Sequence, residues 1–87
     1  MRPVKLSLKE YDLLRILVQH AGKVVTQKVL RRELWGELVD MQFLRIYARQ
    51  LRRKIEADPE RPWFVLTETG VGYWLRAPDE VAGPIDT

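Results

Sequence analysis

Eighty-seven residues, 46% of them hydrophobic and 31% charged, are enough for one small domain with a single modest core. With no cysteine and one histidine, the composition excludes a disulfide framework, a thiolate nucleophile and a metal centre built on either residue type. The formal net charge of +3 is small, so it matters only where it is concentrated.

At the N-terminus, "VKLS" (positions 4–7) reads as a short strand leading into a helix start, because Ser7 followed by Glu10 has capping-box spacing. No stretch of about eighteen apolar residues occurs, which argues against a signal peptide, a lipid anchor or a membrane-spanning helix and predicts a soluble cytoplasmic module. Leu8, Tyr11, Leu14, Ile16, Leu17, Val18 and Ala21 recur at helical intervals, so the first helix is placed at about residues 8–21, with Gly22 as its left-handed terminator. "KVVT" follows as a strand fragment. Thr26 then caps a second helix at about residues 27–35, closed by Gly36.

Asp40 is the candidate N-cap of a third helix, at about residues 41–57, which the prolines of "ADPERP" stop. "WFVLTETGVGYWLR" changes period. Its β-branched and aromatic residues around a glycine-bearing turn read as a hairpin with strands near residues 63–67 and 72–76. Residues 78–87, polar and acidic with Pro78, Gly83 and Pro84, are expected to form a disordered tail, leaving 1–77 as the domain.

The third helix carries the charge. Between Arg45 and Lys54 stand Arg45, Arg49, Arg52, Arg53 and Lys54, and no acid intervenes between Asp40 and Glu56. At about 100° per residue, Leu44, Tyr47, Ala48, Leu51 and Ile55 share one sector, while Gln42, Ile46, Arg49, Gln50 and Arg53 share the opposite one; Arg45 and Arg52 lie on a shoulder. A merely solvated face interleaves acids and bases four residues apart. An unbalanced row of arginines calls for an external anion, and the planar guanidinium fork suits phosphates and base edges better than a compact ammonium does. Such a helix, greasy on one side and bristling with donors on the other, suits the major groove of DNA: Arg pairs with guanine, Gln with adenine, and Ile46 can touch a thymine methyl.

The other conspicuous residues have plainer readings. Trp35, Trp63 and Trp74 sit at element ends with irregular spacing, which favours core packing over base stacking. His20 is a surface residue near a helix C-terminus, and Gly70 and Gly72 are read as turn glycines requiring positive φ. Acidic residues are scattered without a convergent set, so no catalytic residue, metal site or cofactor is assigned and no enzymatic activity is expected.

Three helices followed by a glycine-bearing hairpin make the winged-helix arrangement. On "LSLKEYDLLRILVQHAGKVVTQKVLRRELWG", "LRIYARQLRRKIE" and "TETGVGYWL", covering about residues 4–76, the chain resembles the DNA-binding output domain of OmpR/PhoB-type response regulators. The resemblance implies an α+β winged helix-turn-helix of three helices and a C-terminal β-hairpin. It implies base contacts at Ile46, Arg49 and Gln50, and backbone contacts at Arg52 and at the helix start near Gln42. Phosphates would meet Trp35, Thr67 and Tyr73, and Arg45 and Arg53 complete the DNA-facing set. Thr69 occupies the wing position that is often Arg in the family and reaches the minor groove. Loop 37–41, which corresponds to a contact with RNA polymerase, is shorter here than in PhoB-like members. The family also implies an upstream receiver domain, phosphorylation-driven dimers on direct-repeat promoter DNA, and an N-terminal β-platform of which this chain holds only the last strand. The alternative from another class is a winged-helix protein-docking module whose basic face meets an acidic partner.

Overall fold

The computed structural model describes residues 4–36 and 40–77. The elements run α1 (Leu8–Gln19), β1 (Val25–Thr26), α2 (Gln27–Trp35), α3 (Met41–Ile55), β2 (Val65–Glu68) and β3 (Gly72–Leu75). The expected tail at 78–87 lies outside the described residues.

Each helix starts where a short polar side chain replaces a missing backbone partner. Ser7 Oγ accepts from Glu10 N–H at 3.2 Å and Glu10 Oε1 accepts from Ser7 N–H at 2.9 Å, closing the capping box. Thr26 Oγ1 accepts from Val29 N–H at 3.2 Å, and Asp40 Oδ1 from Gln42 N–H at 2.9 Å. Gly36, at φ 77°, ends α2 as expected.

Residues 4–7 form no strand. A strand needs a neighbour to take its hydrogen bonds, and among the described residues the only sheet runs β1-β3-β2, all antiparallel. Helix α1 stops at Gln19 rather than Ala21, because Ala21 N–H tightens onto Val18 O and Gly22 (φ 84°) turns the chain away. Gly22 N–H then reaches Leu75 O at 2.8 Å, fastening this turn to the end of β3. Its buried face also differs from the expected one: Leu13, Ile16 and Leu17 point inward, whereas Tyr11 and Val18 are exposed and Leu8 is 74% exposed. Apolar residues spread over more than half of the circumference of α1, buried Glu10 interrupts the inner row, and Leu8 falls on the polar side with Asp12, Arg15 and Gln19.

The core joins Leu13, Leu17, Leu30, Leu44, Leu51 and Val65, all fully buried, so every helix and the first hairpin strand contribute to it. In the hairpin, Val65 pairs with Leu75 and Thr67 with Tyr73. Val71 N–H closes the turn on Glu68 O at 2.9 Å, with Gly70 at φ 77°. Gly72 is different from the turn glycine it was expected to be: a Cβ there would run into Val25 O and lie 2.9 Å from Thr26 Cα, so the residue permits close approach of β1.

Candidate nucleic-acid interface

Helix α3 is held by one side. Leu44, Ala48 and Leu51 are buried, with Tyr47 and Ile55 half-buried beside them, as the periodicity requires. The opposite side presents Gln42, Arg45, Arg49, Gln50 and Arg53 to solvent, with Ile46 47% exposed among them. Among the described residues Arg45, Arg49 and Arg53 have neither a hydrogen bond nor an ion pair, so their donors are available to an outside anion. Lys54 is not part of this face. Its Nζ lies 2.6 Å from Glu10 Oε1 on α1.

A groove of about 880 Å³ runs along this side of α3. Gln42, Arg45, Ile46, Arg49, Arg52 and Arg53 form one wall, and Thr67 and Tyr73 of the hairpin join them. Burial pushes the Tyr73 phenol up, partly offset by the nearby Arg52 and Arg45 charges, so its hydroxyl keeps its proton and can donate. Pro59, Glu60 and Pro62 complete the groove. Their sequence signal had been spent on ending the helix, and nothing in it marks a groove wall.

Arg52 is half-buried and engaged. Its Nε donates to Val65 O at 2.9 Å, its Nη2 to Thr67 Oγ1 at 2.6 Å, and its guanidinium stands 5.7 Å from the centre of the Tyr73 ring. Burial lowers its pKa, countered by Tyr73 and Glu56. Glu56, the residue that ends α3, accepts from the N–H groups of Trp63, Phe64 and Val65. Two expected boundaries differ here: the helix ends at Ile55, with Glu56 in extended backbone, and the first hairpin strand starts at Val65, where its pairing with Leu75 begins. The sequence held one clue to Glu56, a carboxylate at a helix C-terminus, where the backbone dipole disfavours it.

The remaining expected contacts lie outside the groove. Trp35 is half-buried, with its ring centre 5.8 Å from that of Tyr47 and 6.3 Å from that of Phe43, and Lys9 Nζ stands 5.6 Å from it. Thr69 sits exposed in the turn between β2 and β3, and Gln50 on the outer side of α3 beyond the groove lining. Trp63 is exposed rather than packed in the core, and carries the Arg76 guanidinium 4.1 Å from its ring centre.

The model of the family described as "Transcriptional regulatory protein, C terminal" matches residues 1–75. The chain belongs to that family. This OmpR/PhoB-type domain is 46% identical over 72 residues to the KDP operon transcriptional regulatory protein KdpE of Escherichia coli K12, covering 80% of this chain and 32% of that protein. Its fold matches response regulator DrrB of Thermotoga maritima, an OmpR/PhoB homolog, with a TM-score of 0.80 and 35% identity over 85% of this chain and 34% of that one. It also matches the RstA DNA-binding domain of Klebsiella pneumoniae, solved in complex with the RstA box, with a TM-score of 0.77 and 27% identity over 84% of this chain and 74% of that one. The OmpR/PhoB-type domain is thus a winged helix, and its family is one of transcription regulators rather than of enzymes. The chain spans about a third of the length of the curated relatives it matches.

Proposed function

We propose that this chain is the sequence-specific DNA-binding output domain of a two-component response regulator, with α3 in the major groove and the β2–β3 hairpin as a wing on the adjacent backbone. The observation that carries this is the face of α3 itself: Arg45, Arg49 and Arg53, which have no hydrogen bond or ion pair among the described residues, flank exposed Ile46 on a helix anchored through its other side. Ile46, Arg49 and Gln50 read base edges. Arg45, Arg53, the α3 start at Gln42, and the hydroxyls of Thr67 and Tyr73 meet phosphates, and these contacts supply most of the affinity. Trp35 offers its indole N–H to the backbone beside the α3 start, and Thr69, with a short side chain at the wing tip, makes a weak minor-groove contact.

In the longer protein, the same reading has phosphorylation-driven dimers on direct-repeat promoter DNA in the cytoplasm, with RNA polymerase as a partner of the segment 37–41. The deciding experiment is selection of binding sites from random duplexes by this chain and by Arg49→Ala. An enriched repeat that disappears in the variant supports the proposal. Affinity should also fall steeply with salt, with a log–log slope of about −0.9 per neutralised phosphate. Binding that ignores base sequence and persists in high salt would point instead to an acidic protein partner and end the DNA reading.

A further inference from the structure

Val65, the first residue of β2, has both of its backbone polar groups held by α3 side chains. Its N–H goes to Glu56 Oε2 at 2.8 Å and its carbonyl receives Arg52 Nε at 2.9 Å. Arg52 lies in the last turn of α3 and Glu56, four residues on, is its C-cap; both grip neighbouring residues too. Glu56 accepts from Trp63 N–H at 2.8 Å and Phe64 N–H at 3.0 Å, and Arg52 donates to Thr67 Oγ1 at 2.6 Å. Glu56 is only 8% exposed, and a buried carboxylate at a helix C-terminus is unfavourable unless its oxygens are satisfied. Here three consecutive backbone N–H groups satisfy them, a set of charge-assisted bonds that fixes the start of the wing in place.

We infer that Arg52 and Glu56 form a latch that sets the angle between the reading helix and the wing, making both of them positioning residues for the wing's phosphate contacts. The inference rests on the preceding reading of α3 and the hairpin. The latch also orients a hydrogen. Because Thr67 Oγ1 accepts from Arg52, the Thr67 hydroxyl turns its own hydrogen away from that guanidinium and has it to donate to a phosphate. Without the latch the hairpin would still be tied to β1 and to the core through Val65 and Tyr73, but nothing would fix the start of β2 against the last turn of α3, and each wing contact would then carry an ordering cost on binding. With the latch closed, α3 and the wing meet the duplex as one rigid surface.

The test uses the whole chain on its selected site, with Glu56→Gln and Arg52→Lys compared by phosphate-interference footprinting, base selection and salt titration. Glu56→Gln puts an NH2 among the three N–H donors, and Arg52→Lys keeps the charge but cannot hold Val65 O and Thr67 Oγ1 together. Both variants should keep the base preference set by α3, lose protection at the wing phosphates, and bind about tenfold more weakly. In Arg52→Lys the salt slope should stay as in wild type, and adding Thr67→Val should cost nothing further, although Thr67→Val alone weakens binding. Should Glu56→Gln fail to fold, Arg52→Lys, which leaves the buried carboxylate satisfied, decides. Wing protection unchanged in Arg52→Lys would overturn the latch alone. A wild-type chain that protects no phosphates through its hairpin would overturn the reading of the hairpin as a wing, and the latch's purpose with it.

Discussion

Arg49 and Gly72 illustrate two different demands on single residues. Arg49 is exposed and contributes little to the fold, so Arg49→Ala should leave the melting temperature near that of wild type. The same change should weaken specific binding by about 1–3 kcal/mol and relax the base preference opposite it, as a titration against matched and mismatched duplexes would show. Gly72 faces the other way: any side chain there meets the backbone of β1. Gly72→Ala should separate β1 from β3 and lower the melting temperature by several degrees, an effect on the scale of about 1–3 kcal/mol. Leu51, fully buried, should cost about 2–5 kcal/mol when cut to Ala, measured by urea unfolding.

Among the elements, α1 and α3 are joined by the pair Glu10–Lys54, and this makes stability depend on pH. Burial alone would push the Glu10 carboxyl up, but hydrogen bonds from Lys54 and Ser7 and the Lys54 charge outweigh it and hold the group below its ordinary value. At neutral pH the carboxylate is ionised whether the chain is folded or not, and its contribution is complete. As the pH falls through the ordinary carboxylate range, the unfolded chain takes up the proton first, so the contribution shrinks and vanishes below the depressed folded value. Glu10→Gln should therefore unfold more easily at neutral pH and show a flatter acid limb in melts between about pH 6 and pH 3. How much of this could be read in the chain beforehand follows from distance along it. The caps at Ser7, Thr26 and Asp40 act over two or three residues and are legible, as is the inner side of α3, whose opposite face is polar. In α1 the apolar residues cover more than half of the circumference and the inner row includes buried Glu10, so helical intervals alone do not separate inward Leu13 from outward Leu8. Lys54 lies 44 positions from Glu10, and Arg52 lies 13 from Val65 across a loop, so these contacts exist only once the elements have packed. The exposed cationic face of α3 is legible for the same reason that the contacts of Arg52 and Glu56 are not: exposed donors declare themselves by pattern, engaged ones by their partners.

At the scale of the whole fold, large apolar side chains among the described residues remain exposed on several elements. Val4, Leu8 and Tyr11 are all exposed at the start of α1 and leave apolar surface in water. Extending the chain with the small antiparallel sheet that its family resemblance implies should bury such surface and raise the melting temperature; an unchanged value in a differential scanning experiment would count against it. The bond from Gly22 N–H to Leu75 O bears on how the molecule comes apart. It couples the corner after the first helix to the last strand, so the hairpin cannot peel off while that corner stays closed. Fraying from this end is thereby slowed: the Gly22 amide should exchange with solvent deuterium more slowly than an exposed turn amide that has no acceptor, and Leu75→Pro or removal of the hairpin end should abolish that protection.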